Sequence, residues 1–312
     1  MTLAYASLVR DLACRNDGRR GLAVNDAQAL FAAMLGGEVP PLEIGEILIA
    51  LGDKGETLAE TIGFMRAVDA DIGRLAAPRG RSHPVVLPSY GGARQLPNLT
   101  ALLALLLKRY GVPVLIHGTP AAAPGHVTTA AILWELGIEP AASLDDAQSR
   151  LDYDNIAHVP AAVLAPGLAR LMDVSAPIGV RSPTQMLARL IDPFGREGYR
   201  VVGVPHPDRL ARMREVLAAT HADALLLCGA EGEPVADARR QPLIETFANG
   251  EMSVCADPET DTPDTPAAPP RLPAAIDAPT TGAWIARALS GEEPVPDPLV
   301  TQLGCCLEGA RR

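Results

Sequence analysis

The segment from Pro84 to His117 restricts the fold of this chain more than any other. Pro84-Val85-Val86-Leu87 is a short β-type apolar run that ends in the turn-rich Pro88-Ser89-Tyr90-Gly91-Gly92. A helix is predicted from Leu99 to Tyr110, and Val112 to His117 then reads as a second strand. Strand, glycine-rich loop, helix and strand in that order form the unit of a parallel sheet with helical crossovers. Arg200 to Val204 and Ala222 to Cys228 extend the pattern as further strands, with a helix from near Pro207 to Thr220 between them. Helices from Ala162 to Leu190 separate these strands from the earlier pair.

The first eighty residues are of another kind. Asn25 is expected to cap a helix that carries Leu30, Phe31 and Met34 on one face and stops at Gly36-Gly37. Pro40-Pro41 opens a second helix, and Glu56 and Thr57 start a third with Ile62, Phe64, Met65 and Val68 as its apolar stripe. A helical domain therefore precedes an α/β domain. Leu30, Phe31, Met34, Ile44, Ile47 and Leu48 exceed what so small a helical domain is expected to bury against itself, which predicts a homodimer.

Composition excludes several classes. The 29 Pro and 28 Gly exclude a long coiled coil, and an aromatic content of 4% leaves few platforms for stacking nucleic-acid bases. The longest apolar run, Leu99 to Leu107, is too short to span a bilayer, and the N-terminal segment lacks a secretory pattern. A cytoplasmic protein with no membrane partner is expected. The net charge of −10 weakens any argument for polyanion binding from bulk charge. Nine acids and four bases lie in residues 256 to 312, and the Pro-, Asp- and Thr-rich residues 256 to 280 are expected to form an extended or disordered surface loop. Cys14, Cys228, Cys255, Cys305 and Cys306 lack metal-ligand spacing. They are expected to be reduced apolar fillers, with no metal site.

A glycine-rich loop between strand and helix can turn its N–H groups toward a phosphate at the helix N-terminus. Ser89-Tyr90-Gly91-Gly92-Ala93-Arg94 occupies that place, although two adjacent glycines equally suit an ordinary tight turn. Asn98 and Thr100 add polar groups at the helix start, where Asn98 is also a good N-cap.

Gly36-Gly37-Glu38-Val39, Lys54-Gly55-Glu56-Thr57, Gly91-Gly92 followed by Asn98-Leu99-Thr100, His117-Gly118 and Gly179-Val180-Arg181-Ser182 form an ordered set. In order and spacing this set resembles anthranilate phosphoribosyltransferase over nearly the whole chain. Pro88-Ser89-Tyr90, Gly92-Ala93-Arg94, Gly229-Ala230-Glu231-Gly232-Glu233, Trp284-Ile285 and Cys305-Cys306-Leu307 are closer to the YbiB-type branch of that family. The resemblance implies an α/β protein with a smaller all-α domain, of the nucleoside phosphorylase and phosphoribosyltransferase class. Residues 1–80, completed by about 162–192, would form the helical dimerisation domain, and residues 81–161 with 193–312 the α/β domain.

The departures from the enzyme pattern bear on function. The enzymes bind phosphoribosyl pyrophosphate on Gly-Thr-Gly-Gly-Asp, whereas Ser89-Tyr90-Gly91-Gly92-Ala93 carries a bulky Tyr90 and no carboxylate. Ile116-His117-Gly118-Thr119-Pro120 replaces Lys-His-Gly-Asn-Arg, and the magnesium-holding Asp-Glu pair falls on Pro234 and Val235. Pyrophosphate departure needs its developing negative charge neutralised. Phosphoribosyl transfer is therefore expected to be lost, with no catalytic residue and no cofactor. Ser89, Gly91, Gly92, Asn98, Thr100, His117 and Arg181 would remain as a vestigial pocket for a small anion, Arg181 matching the arginine that meets the aromatic acid in the enzymes. The alternatives are a phosphoribosyl- or glycosyltransferase with another acceptor, using Mg2+ and phosphoribosyl pyrophosphate, and a dimeric scaffold with neither activity.

For the YbiB-type branch the resemblance implies a homodimer that binds DNA or RNA without sequence specificity in a basic groove. Candidate contacts are Arg209 and Arg212, which crowd one helix with Arg214, together with Arg239 and Arg240, Arg189, and Arg94 in the altered loop. The alternative is that these arginines are solvated and paired with Asp208, Glu215 and Asp237. His117 reads as a packed strand-end residue rather than a general base.

Overall fold

The computed structural model describes residues 21–119, 124–176, 183–259 and 270–311. In chain order the helical elements α1 (Val24–Gly36), α2 (Pro41–Lys54) and α3 (Leu58–Asp71) come first. They are followed by β1 (Val85–Ser89), α4 (Thr100–Arg109), β2 (Val114–Gly118), α5 (Thr129–Glu135), α6 (Leu144–Asp154) and β3 (Ile156–Pro160). Three helices, α7 (Ala161–Leu164), α8 (Pro166–Ser175) and α9 (Pro183–Ala188), precede β4 (Tyr199–Val204), α10 (Leu210–Ala219) and β5 (Ala224–Cys228). The hairpin of β6 (Ile244–Ala248) and β7 (Glu251–Ala256) leads to α11 (Ala278–Ser290) and α12 (Asp297–Gly309).

Two compact units result. One comprises the chain up to Gly73 with Ala161–Ile191, the other Arg74–Pro160 with Asp192–Arg312. The division falls at Gly73 rather than near residue 80 because the next residues bond to the second unit. The Arg74 guanidinium donates to the Asp192 carbonyl, the Leu75 amide to that of Pro193, and the Ala76 amide to Gln148 Oε1.

In the helical unit, Gly37 closes α1 in the left-handed conformation (φ 76°) and Pro41 occupies the first turn of α2, where its missing N–H costs nothing. Asn25 does not cap α1. It lies inside the helix, and the capping position belongs to Ala23, which makes no side-chain cap bond. The strongest start signal is at α3, where Thr57 and Glu60 form a reciprocal capping box. Buried Glu60 also accepts the Leu22 amide at 2.9 Å and pairs with the Lys54 ammonium. Burial alone would raise the Glu60 carboxyl, but Lys54 and the Thr57 and Leu22 amides outweigh it and hold the group below its ordinary value.

Leu30, Phe31, Met34, Ile44, Ile47 and Leu48 are all buried within this chain, so the surplus apolar surface expected of them is absent. The later helices α7 to α9 belong to the same unit and supply additional packing surface. The exposed apolar residues of α2 are instead Leu42 and Ile49, 78% and 43% accessible.

The second unit is built on a seven-stranded sheet in the order β3-β2-β1-β4-β5-β6-β7. The first five strands are parallel, and β6 and β7 are antiparallel. Asn249 and Gly250 join β6 to β7 with φ of 49° and 83°, the positive pair a two-residue hairpin turn requires. Pro88 lies within β1, which the expected strand end at Leu87 did not allow. The ladder to β4 covers only Val85 and Val86, so the missing N–H of Pro88 interrupts no bond on that side. The apolar face of α4 packs with Trp284 and Ile285 of α11 and Leu299 and Leu303 of α12 into one buried cluster over the sheet.

The reduced-thiol expectation fails for one pair. Cys255 on β7 and Cys305 on α12 form a disulfide, their Cα atoms 6.2 Å apart, because the hairpin packs its last strand against the C-terminal helix. Cys228 and Cys306 are free thiols, and Cys14 lies outside the described residues. Burial pushes the Cys306 thiol up to about 12, as expected of an inert filler. Part of the acidic segment, residues 260–269, also lies outside the described residues. Among the described residues no helix is long and apolar enough to cross a membrane.

Candidate functional site

Strands β2 and β3 extend the sheet on one side of β1, and β4 and β5 extend it on the other, so the winding reverses between β1 and β4. Ligands of open α/β sheets bind outside the carboxyl ends of the strands at such a reversal. The pairing of β1 with β4 stops at Val86. Beyond it, the segment after β5 closes in on the ends of β4 and β5. A methyl group on Gly203 would stand 2.2 Å from the Glu233 carbonyl oxygen, and one on Gly229 would stand 1.9 Å from it, so only glycine admits this approach.

That segment delivers two carboxylates to the glycine-rich loop. The amides of Gly91 and Gly92 donate to Glu233 Oε1 at 3.0 and 2.9 Å. The Ser89 hydroxyl donates to Glu233 Oε2, and the Thr129 hydroxyl lies 2.7 Å from that of Ser89. The amides of Arg94, Gln95 and Leu96 all converge on Glu231 Oε1, at 2.9, 2.7 and 2.9 Å. Burial raises the Glu231 carboxyl, but the Gln95, Leu96 and Arg94 amides and then His126 outweigh it and hold it below its ordinary value. Paired backbone bonds between Ala93 and Val127 and a contact of His126 Nδ1 with the Gly91 carbonyl brace the loop on its other side. The donors of a phosphate cradle are therefore present and already engaged by the chain's own carboxylates.

The other residues expected in the pocket are also engaged internally. Asn98 Nδ2 donates to Thr129 Oγ1 at 2.9 Å, and its Oδ1 accepts the Thr100 amide at 3.1 Å, which tightens the entry to α4. The Tyr90 hydroxyl meets His117 Nδ1 at 2.8 Å, with the two rings edge to face. His117 is fully buried, as expected of a packed strand-end residue. Burial, and secondarily His158 on the neighbouring strand, lowers its pKa to about 3, so it is neutral. Arg181 lies outside the described residues.

The donor set does not fit magnesium. Val235 packs in the apolar core, and the Pro234 carbonyl accepts a bond from Gln302 Nε2, whose Oε1 in turn accepts the Ala236 amide. Among the described residues no group of three or more His, Cys, Asp or Glu side chains could hold a metal ion.

Five of the candidate arginines come from segments that leave the carboxyl ends of adjacent strands. Arg94 follows β1, Arg209 and Arg212 follow β4, and Arg239 and Arg240 follow β5. Arg209 is not in the α-helix with Arg212. Pro207 imposes a 3-10 turn, Pro207–Arg209, ahead of α10. Arg212 pairs with Glu215 at 3.1 Å, Arg239 grips Asp237 through two bonds, and Arg240 donates to the Glu259 carbonyl. Arg214 turns to Glu245 on β6 with both bonds from its Nε within 2.9 Å, which removes it from the basic group. The exposed side chain of Arg94 and the half-buried one of Arg209 have no ion-pair partner among the described residues. Arg189 follows α9 and belongs to the helical unit. Sequence reasoning assigned no role to Glu231, Glu233 or Thr129, although the string Gly229-Ala230-Glu231-Gly232-Glu233 was the available signal.

Residues 15–70 match a glycosyl transferase family model, its helical bundle domain. The Escherichia coli K12 protein YbiB, described as uncharacterized, is 38% identical over 304 residues, 97% of this chain and 93% of that protein. Anthranilate phosphoribosyltransferase of Thermus thermophilus is 31% identical over 212 residues, 67% of this chain and 62% of the enzyme. A crystal structure of the Thermus thermophilus enzyme superposes with a TM-score of 0.73 at 25% identity, covering 93% of this chain and 85% of that one. The Saccharomyces cerevisiae enzyme in complex with PRPP and Mg gives a TM-score of 0.72 at 12% identity, covering 98% of this chain and 89% of that one.

Proposed function

The chain belongs to the anthranilate phosphoribosyltransferase-like family, with YbiB among its relatives, and from that premise we propose that it binds nucleic acid without sequence specificity and has lost phosphoribosyl transfer. The observation that carries the binding reading is the origin of the arginines. Arg94, Arg209, Arg212, Arg239 and Arg240 leave the same end of three neighbouring strands, β1, β4 and β5. A basic rim built this way can hold a polyanion on a protein of net charge −10. The nearby Glu231 and Glu233 take their hydrogen bonds from backbone amides and the Ser89 hydroxyl, although the Glu231 charge also acts on Arg239.

With an aromatic content of 4%, the affinity rests on phosphate contacts rather than base stacking. The protein acts as a homodimer, with Leu42 and Ile49, seven residues apart on one face of α2, as its apolar contact. No metal or cofactor takes part. Loss of transfer is supported by the engaged cradle and by the absence of carboxylates at positions 234 and 235.

A transferase is the second reading, supported by the relatives that are named anthranilate phosphoribosyltransferase. Two assays on the purified protein separate the readings. A gel shift at low salt is expected to retard DNA and RNA oligonucleotides of any sequence, and anthranilate with phosphoribosyl pyrophosphate and magnesium is expected to give no product above background. Failure to shift any oligonucleotide refutes the binding function, and turnover approaching about 1 per second refutes the loss of transfer.

A further inference from the structure

Five backbone amides and the Ser89 hydroxyl converge on two carboxylates at the point where an α/β sheet of this winding takes its ligand. Such a set of N–H groups is the pattern that recognises a phosphate or a diphosphate. We propose that Glu231 and Glu233 are an internal anion, supplied by the chain to occupy the cradle in place of a phosphate-bearing ligand and to exclude diphosphates from it. The proposal rests on the reading that phosphoribosyl transfer is lost, and gives that loss a physical mechanism beyond the missing metal ligands.

Two independent features of the backbone support it. Glu231 is held at φ 52°, ψ 25°, a left-handed conformation disfavoured for a side chain of this size, and the carboxylate it delivers takes three amides at once. Gly203, Gly229 and Gly232 make the approach possible. The first two leave room for the Glu233 carbonyl, and Gly232 takes a φ of 84° between the two glutamates. A second anion brought to either set of amides would meet the carboxylate already bound there, Glu233 at Gly91 and Gly92 or Glu231 at Arg94 to Leu96, and the repulsion adds to the shortage of free donors.

Substitution at Glu231 tests the proposal without a steric penalty. Glu231→Gly removes the carboxylate and suits the left-handed backbone, so the fold is expected to tolerate it. Glu231→Gly with Glu233→Ala empties the whole cradle. Inorganic phosphate and diphosphate are titrated by calorimetry into wild type and both variants, with circular dichroism as the check on folding. The wild type is expected to bind neither anion at millimolar concentration, Glu231→Gly to bind phosphate, and the double variant to bind diphosphate at least ~10-fold tighter than wild type. Diphosphate binding by the wild type with affinity comparable to the variants overturns the proposal, as does a folded Glu231→Gly protein that binds neither anion.

Amide exchange in the wild type gives a readout that needs no variant. The Arg94 and Gln95 N–H groups are expected to exchange slowly although both residues are exposed, and exchange at the rate of a free loop overturns the clamp. Failure of the wild type to shift oligonucleotides would refute the nucleic-acid reading alone, and product formation from phosphoribosyl pyrophosphate would refute the loss of transfer.

Discussion

Gly229→Ala should dislodge the carboxylate clamp by a purely steric route. The backbone there, at φ −82°, is open to alanine, so conformational strain contributes nothing. The added methyl would stand 1.9 Å from the Glu233 carbonyl oxygen and 3.1 Å from that of Val235. Close carbon–oxygen contacts settle near ~3.3 Å, so the turn must open by more than about 1 Å. Glu233 Oε1 accepts the Gly91 and Gly92 amides at 3.0 and 2.9 Å. A shift of that size carries both bonds past the ~3.2 Å limit of good N–H···O geometry.

Overpacking typically costs about 1–3 kcal/mol, and each buried donor left unsatisfied about as much again. Because the Gly92 bond is buried and the Gly91 bond only partly so, one full donor penalty adds to the overpacking, and a destabilisation of about 2–6 kcal/mol is expected, read from the urea midpoint by circular dichroism. Gly304→Ala on the exposed face of α12, where nothing lies within 4 Å, is the control. It should stabilise by about 0.5–1 kcal/mol. A Gly229→Ala protein within about 1 kcal/mol of wild type, with Gly304→Ala behaving as stated, would show that the turn accepts a methyl group without displacing Glu233.

Glu60→Ala should destabilise the helical unit by about 3–5 kcal/mol in a urea titration, because it leaves Lys54 and the Leu22 and Thr57 amides without their acceptor. Since the folded Glu60 carboxyl sits below its ordinary 4.5, its contribution is present above that pH and is lost as pH falls through the folded value, a dependence Glu60→Gln should remove. His117 and His158, lowered by burial from 6.5 to about 3 and about 4, act in the same pH direction. Between those values and 6.5 the unfolded chain binds protons that the folded chain does not, so the urea midpoint should fall as pH drops through this window, and a flat profile would contradict their neutral burial. Cys305→Ser should lower stability by about 2–4 kcal/mol, because the Cys255–Cys305 bond closes a sequence separation of 50. Excess reductant should do the same to the wild type and nothing further to the variant.

The strands β1, β2, β4 and β5 were legible in the sequence because each is an apolar run bounded by turn residues. Their ends moved by a residue or two where the ladder, rather than composition, sets the boundary. Strand β3 escaped because His158 and Pro160 break the apolar run Ile156-Ala157-His158-Val159-Pro160. The hairpin of β6 and β7 carries a local signal, Asn249-Gly250 between two short strands, but the charged Glu245 and Glu251 dilute the apolar pattern on either side of it. Asn25 has the chemistry of a cap, but the helix begins one residue before it.

The loop after β1 could be identified as a set of anion donors from Gly91 and Gly92. What those donors meet could not be identified, because Glu233 is 142 residues from Gly91 and reaches it only through the winding of the sheet. The same holds for the arginines. Their number is visible in the sequence, but the turning of Arg214 to Glu245, and the arrival of Arg94, Arg209 and Arg239 at one end of the sheet, follow from strand order.

In the proposed function, nucleic acid is held through its phosphates by the arginines at the carboxyl ends of β1, β4 and β5. The most direct test is the salt dependence of affinity, measured by fluorescence anisotropy with mixed-sequence duplex and single-stranded oligonucleotides, for wild type and Arg94→Glu/Arg209→Glu. Removing one arginine–phosphate pair should reduce the slope of log affinity against log salt by about 0.9 on duplex and about 0.7 on single strands. The double variant should therefore bind more weakly to every sequence, with a slope lower by about 1.4 to 1.8 per engaged protomer. An unchanged slope and affinity in the variant, or a wild-type affinity that varies sharply with sequence and little with salt, would contradict the account.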